Sequence, residues 1–318
     1  MGATGKDLHV NVPLSNVAIN YVPRGFIGER IAPIVSVPKQ SNSYNTWSLA
    51  DAYRIEEDKR SPGTEANIIE RNVSSDTYFC YNYALKDKIP YEDLRNADAG
   101  MILTERSERV RYLKNKLYLN WDYRLAQKVN SGSNVGSYSA VASNWSDGAT
   151  GHSDPFNDCT TALDNVEGAT GIRPNKVIFW NWAWDRFRNH ADILDRLYGN
   201  QTGAKGRLVS LQQAAALLEV DEVMLARTKY NSAGEGQTAS LANMATPNVL
   251  FYYAPSKPSK EEPSFMYSFR WPVVTDMQAE VHDVKIKKRE EVELGYYQDE
   301  KITAPTLGFL ITDVDSSV

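Results

Sequence analysis

The chain is poor in cysteine. It has two, Cys80 and Cys159, among 318 residues. Two cysteines far apart in sequence cannot make a disulfide framework or a zinc ribbon, so a reducing compartment and two small buried hydrophobes are the natural expectation. Basic excess is also missing. The net charge is -5 and the sequence pI is about 5.5, which argues against a protein whose main work is gripping phosphates. No apolar run is long enough to span a bilayer, and the first ten residues hold no signal-peptide core. No internal repeat or low-complexity tract is visible.

Catalytic signatures are equally scarce. The four histidines, His9, His152, His190 and His282, are scattered, and none sits in a metal-ligand motif. No Gly-x-Ser-x-Gly elbow occurs. The stretch from Gly199 to Gly206 superficially resembles a phosphate loop, but its spacing is wrong and no Ser or Thr follows Lys205. It reads as a loop between helices. Carboxylates are plentiful without forming a motif. No catalytic, cofactor-binding or metal-binding residue is expected.

What is present is an ordinary folding composition, 42% hydrophobic and 24% charged, with 18 Tyr and 7 Trp. Its length suggests two domains, or one with large extensions. Residues 1–44 contain Pro13, Pro23, Pro33 and Pro38, and proline at this density predicts an extended arm without helix. Val17, Ile19, Phe26, Ile27, Ile31, Ile34 and Val35 then need a surface to cover them, either the chain's own body or another subunit. Residues 44–53 and 73–85 read as two strands of a long hairpin, with a charged tip from Glu56 to Glu65 and a turn at Ser61, Pro62 and Gly63. Such a hairpin is marginal unless something holds it.

The strongest helical signal runs from Pro90 to about residue 130. Leu103, Val110, Leu113, Leu117, Trp121 and Leu125 recur at helical spacing between Arg106, Arg109 and other charges. A helix of that extent would be roughly 50 to 60 Å long. Residues 131–153 read as a loop. From 154 to about 267 the pattern is α/β: Asp154 and Pro155 open a helix, 176–180 is a buried strand, and 182–197 is helical. Ser210 caps a helix over 211–218, and strands follow near 222–229 and 248–253. From 265 the chain reads as β to its last short strand, 307–312.

Three strings, taken in order ahead of a long helix, carry a resemblance. They are Phe26 to Gln40 (FIGERIAPIVSVPKQ), Arg60 to Ala66 (RSPGTEA) and Tyr83 to Asn96 (YALKDKIPYEDLRN). Together they resemble the N-terminal third of tailed-phage major capsid proteins of the Hong Kong 97-like fold, and the order of the later elements fits that fold as well. The resemblance implies an α+β chain with an N-terminal arm (1–44), an extended hairpin loop (45–85), a peripheral domain with a spine helix (86–153), an α/β axial domain (154–267), and C-terminal strands that return to the peripheral domain (268–318). It implies inter-subunit contacts by Phe26, Ile27, Arg30, Glu56, Glu57, Asp58, Lys59, Arg60, Pro62 and Glu65. Arg106, Arg109, Leu113, Leu117 and Trp121 would lie on the spine helix.

The function implied is structural. Copies assemble into hexamers and pentamers of an icosahedral head, made in the host bacterial cytoplasm and carried in the virion. Scaffold, portal and decoration proteins are implied partners. Packaged double-stranded DNA would be held weakly and without sequence specificity, and no membrane is involved. Some members of the family crosslink Lys to Asn between subunits. Lys59 lies near the hairpin tip, but nothing in the sequence marks an acid catalyst or an acceptor Asn. Two alternatives remain open at this point: an encapsulin-like nanocompartment shell, and a hydrolase with an acidic site.

Overall fold

The computed structural model describes residues 11–21, 25–47, 53–69, 73–96, 99–146, 153–180, 182–199, 208–273 and 275–315. The first element is helix α1 (Val12–Asn20). The Asn11 side chain caps it by accepting the Leu14 N–H, and Pro13 sits in the first turn. Proline is harmless there because its missing N–H would have no partner in any case. The expectation of a helix-free arm is therefore corrected: counting prolines misses where they fall. A single turn, α2 (Gly28–Ile31), follows, then β1 (Ile34–Ser36).

Strands β2 (Ser41–Trp47) and β3 (Val73–Phe79) form a two-stranded stem in antiparallel register, Ser41 opposite Phe79. Residues 53–69 between them are irregular and exposed throughout. The predicted long hairpin is thus a short stem with an irregular tip. Strand β4 (Tyr81–Pro90) leads to α3 (Tyr91–Asn96) and α4 (Ala99–Val129). At 31 residues, α4 is about 46 Å long. The 131–153 region, expected to be loop alone, contributes β5 (Ser137–Ala140).

Helix α5 (Pro155–Thr170) starts and stops where the sequence indicates. Asp154 accepts the Asn157 N–H, and Gly171 closes the helix with φ of 68°. After β6 (Lys176–Trp180), the expected single helix is two, α6 (Ala183–Asn189) and α7 (Ala191–Tyr198), because His190 is extended and caps the second. Ser210 and Gln213 form a reciprocal capping box on α8 (Leu211–Leu218). Strands β7 (Glu222–Ala226), β8 (Lys229–Asn231), β9 (Leu241–Asn243) and β10 (Val249–Tyr252) follow. The chain ends in β11 (Met266–Arg270), β12 (Gln278–Val284), β13 (Arg289–Ile302) and β14 (Gly308–Thr312).

Two five-stranded sheets organise these elements. One has the order β1-β11-β13-β12, with β4 along the other side of β13; the second has the order β5-β14-β10-β6-β7. The second sheet is covered on both faces, which explains its unbroken apolar strands. Val177, Phe179, Val249 and Phe251 point into a core with α5 to α8, while Ile178, Trp180, Leu250 and Tyr252 join the core built around α4. The last strand, β14, pairs with β10 and β5 in this second sheet. Only β11, β12 and β13 return beside the long helix, which corrects the expected placement of the whole C-terminal segment. A short apolar strand carries no mark in its sequence of which sheet it will enter.

Candidate assembly surface

The loop 53–69 is mounted on a rigid base. Tyr44 from β2 and Tyr78 from β3 are buried against Phe269 of β11, with ring centroids 5.2 and 4.9 Å away. Lys301 on β13 donates to Asp76 at 2.6 Å and also to the Thr77 carbonyl, while the Tyr44 hydroxyl donates to the second Asp76 oxygen at 2.9 Å. Burial pulls the Asp76 carboxyl upward, but the Lys301, Thr77 and Tyr44 donors together hold it below the usual range. Burial, followed by the bond to Asp76, pushes the Tyr44 phenol up. Beside the stem, an apolar cavity of about 160 Å³ is lined by Tyr44, Ile172, Pro263, Phe269 and Leu307 among others.

Beyond that base the loop makes few internal ties. Thr64 closes the turn by donating its N–H to the Ser61 carbonyl at 3.2 Å, and Gly63 takes the positive φ of 85° that the turn needs. Asn67 donates to the Glu57 carbonyl at 2.8 Å, and Arg54 lies 3.9 Å from Glu56. Glu56, Glu57, Asp58, Lys59, Arg60, Pro62 and Glu65 are all exposed. So are three isoleucines that sequence reading did not single out: Ile55 at 96%, Ile68 at 89% and Ile69 at 68%. Apolar side chains this open, on a projecting loop, mark a contact surface. An apolar doublet usually reads as buried, so the sequence held no signal for them.

The arm behaves differently. Helix α1 packs on α4 and β12, with Leu14 and Ala18 in the main core. The Asn11 N–H donates to the Ala279 carbonyl at 2.8 Å, and the Ser15 hydroxyl accepts the Ala279 N–H at 3.0 Å. Lys114 of α4 is buried and donates to the Ala18 carbonyl at 2.6 Å and to the Tyr21 carbonyl, capping the end of α1. Burial pushes its ammonium down to about 8. Ile27 and Ile31 also lie in the core. Ile27 is therefore removed from the inter-subunit set, because the chain covers it with its own body. Phe26 is half-buried against Tyr118, with centroids 6.0 Å apart. Arg30 keeps an exposed side chain, 3.3 Å from Glu222.

The spine residues tie the chain to itself. Leu113, Leu117 and Trp121 are core. Arg106 grips Glu290 of β13 at 2.7 Å, and Arg109 bridges Asp87 at 3.1 Å and Glu105 at 2.8 Å. Arg124 adds a contact to Glu300 at 2.6 Å. These pairs clamp the helix across β4 and β13.

The described cysteines and histidines have structural surroundings. Among the described residues no three His, Cys, Asp or Glu side chains converge as metal ligands, and no helix is long and apolar enough to cross a membrane. Cys80 and Cys159 are buried and free. Burial pushes the Cys80 thiol up to about 11 and the Cys159 thiol well above its ordinary value, the opposite of nucleophile activation. His190 is used as a helix cap and bonds Ser153 at 3.0 Å. His282 lies beside Glu280 and Glu293. Residues 200–206, the segment that superficially resembles a phosphate loop, lie outside the described residues, as do His9 and His152.

A pinned base, a bare projecting loop and a long spine helix can be compared with known proteins as a whole. A phage-related protein of Bordetella bronchiseptica RB50 superposes with a TM-score of 0.74 at 21% identity, covering 96% of this chain and 97% of that one. The capsid protein of cyanophage P-SCSP1u superposes with a TM-score of 0.55 at 11% identity, covering 98% and 94%. The fold is the Hong Kong 97-like capsid fold. In sequence, the major capsid protein of Pseudomonas phage JBD67 is 24% identical over 308 residues, 94% of this chain and 95% of that protein. No family model matches the chain. The Hong Kong 97-like chain is thus similar in sequence to phage major capsid proteins along nearly its full length.

Proposed function

We propose that this chain is the major capsid protein of a tailed phage and builds the icosahedral head by lodging loop 53–69 of each copy on its neighbour. The observation that carries this reading is the contrast within one chain. The arm is tied down by its own body, while Ile55, Ile68 and Ile69 stand in water on a loop whose base is held rigidly. One subunit cannot cover them. A ring of copies can, each loop resting on the next body, which is a heterologous contact that closes by rotation into pentamers and hexamers. Such an interface belongs to the obligate class of roughly 2,000 Å² or more.

In this scheme the sheet carrying β4 and β11 to β13, together with α4, forms the peripheral part. The second sheet with α5 to α8, completed by β5 and β14, forms the axial part. The charged tip residues Glu56, Glu57, Asp58, Lys59, Arg60 and Glu65 set register more than affinity. The protein performs no catalysis. It assembles in the host cytoplasm with scaffold and portal proteins and ends in the virion around double-stranded DNA.

Electron microscopy of the purified chain tests this. Closed shells are expected from the intact protein, and folded subunits without shells from a deletion of residues 56–69. Normal particles from the deletion would overturn the role of the loop. DNA inside native particles, rather than an enclosed enzyme, separates a phage head from a nanocompartment.

A further inference from the structure

The cavity beside the loop stem has room for one apolar group. Its volume of about 160 Å³ is close to the roughly 150 Å³ that takes up one benzene. It falls well short of the roughly 300 to 1,000 Å³ of small-molecule pockets. Tyr44 comes from β2, Phe269 from β11, and Ala304, Thr306 and Leu307 from the segment between β13 and β14, with Ile172 on a further side. Thr306 is exposed, so the cavity is reached from outside. An apolar pocket of this size selects an aliphatic side chain.

The loop supplies such side chains. Ile68 and Ile69 form an exposed doublet. In extended chain neighbouring side chains point to opposite sides, so one of the pair can enter a pocket while the other lies along its rim. The chain's own loop does not do this. Tyr53, at the start of the loop, lies so close to Gly171 that a Cβ there would be 2.5 Å from the Tyr53 hydroxyl. The loop thus begins beside the pocket wall, yet its doublet stays in water. Lys260, Glu261 and Glu262 border the pocket, and their mixed charge matches that of Lys59, Arg60 and Glu65 on an incoming loop.

We propose that this cavity is the seat for the Ile68–Ile69 doublet of a second copy, and that filling it firms the recipient's own loop for the next copy. This rests on the capsid reading above and gives it a direction. Tyr44 and Phe269 serve twice, as pocket wall and as rings that pin the β2–β3 stem. An aliphatic group seated against them adds packing to that stem. A copy that has received a loop then holds out its own on a firmer base. The ordering needed at one contact is partly met by the contact before it, which makes the contacts cooperative. Rings grow head to tail.

Crosslinking tests the seat. Both native cysteines are fully buried, so introduced thiols report alone. Copies with Ile68→Cys or Ile69→Cys are co-assembled with copies carrying Thr306→Cys, and oxidised. Disulfides joining one chain of each kind are expected, since the bond forms only between Cα atoms within about 7 Å. Ile286→Cys, open but on the β12–β13 turn, should give none in place of the loop thiol. Shells without the mixed dimer would overturn the proposal. So would bridging through Ile286→Cys, or a bridge inside one unassembled chain carrying both thiols, which would make the chain's own loop the occupant.

Filling the cavity tests the coupling. Ala304→Leu, with Ile172→Phe as a second filling variant, puts the missing bulk on the pocket wall. The subunit should unfold at the wild-type midpoint or above and exchange its β2–β3 amides several-fold more slowly. It should not form shells at the wild-type concentration. Normal shells would show that assembly does not use the cavity, and unchanged stem exchange would remove the coupling. If the unmodified chain forms no shells, the capsid reading fails, and crosslinks in smaller oligomers still decide the seat.

Discussion

The Gly28 amide donates to Oδ1 of Asp122 at 2.8 Å, and a Cβ on Gly28 would sit 2.9 Å from that same oxygen. The Ile27 amide takes the other oxygen at 3.1 Å. The close approach that lets a spine carboxylate hold the arm is therefore available only to glycine. Gly28→Ala is expected to destabilise the unassembled subunit by about 1 to 3 kcal/mol, through the displaced carboxylate and its unpaired amides. Asp122→Ala should cost at least as much. Denaturant unfolding of both variants checks this, and wild-type stability in Gly28→Ala would refute it.

Asp122 also gives the arm a pH dependence. Burial raises its carboxyl from 3.8 to about 6, even though two amides favour the charged form. A raised folded value means that the native state takes up the proton more readily than the unfolded chain. The stabilisation is thus fully present below the ordinary carboxylate value and is lost as pH rises through about 6. Relative to Asp122→Asn, the wild type should lose stability across that window. Parallel pH profiles would contradict the assignment.

Lys114 acts in the opposite sense. Its folded value of about 8 lies below the ordinary 10.5, so the folded state releases the proton more readily. Wild-type stability should rise relative to Lys114→Met as pH climbs from about 8 to 10.5. At neutral pH the Met variant keeps the packed stem but leaves the Ala18 and Tyr21 carbonyls without their donor. Hydrogen exchange should then report faster opening of α1 than of the strands in the two large sheets. Uniform exchange across the molecule would show that Lys114 does not hold the arm.

Local chemistry was legible and long-range placement was not. Asp154 before Pro155, Ser210 before an apolar run, and Gly171 after one each settle a helix end by hydrogen bonds within a few residues. The heptad-like run from Val110 to Leu125 likewise announces its buried face. A count of prolines hides the helix of the arm, because Pro13 falls in the one turn where proline fits. Ile27 reads as a contact for a neighbour because its partner, the α4 surface around Asp122, lies 94 or more residues away in sequence. Ile68 and Ile69 are exposed for the same reason in reverse, since no distant segment of the chain covers them. Whether an apolar residue is covered depends on which distant segment arrives, and no local pattern encodes that.

The loop base offers a separate test. Asp76 joins β3 to Lys301 and Tyr44, and its lowered carboxyl favours the folded arrangement while ionised. That contribution holds above the ordinary carboxylate value and fades as pH falls through the depressed one. Asp76→Asn should free the β2–β3 stem to exchange amide hydrogens several-fold faster at neutral pH, and lowering the pH should reproduce this in the wild type. Little change in overall unfolding is expected, because Asp76 is partly exposed and such pairs contribute little to stability. Faster exchange everywhere, rather than in the stem, would count against a local clamp.

The exposed isoleucines carry the most direct prediction about assembly. An isoleucine that a neighbour covers contributes about 2 kcal/mol. Replacing Ile55, Ile68 and Ile69 with Ser removes three such contributions from every loop contact while leaving each fold intact, since none of the three is buried in the subunit. The concentration needed for shells to form should rise by more than about a thousandfold. Circular dichroism and the unfolding midpoint should stay at wild-type values. Charge reversal at Glu56 and Glu57 should instead slow assembly and change its salt dependence, because rim charges act mainly on encounter rates. If the triple Ser variant assembled at the wild-type concentration, the loop would not be the element that joins one copy to the next.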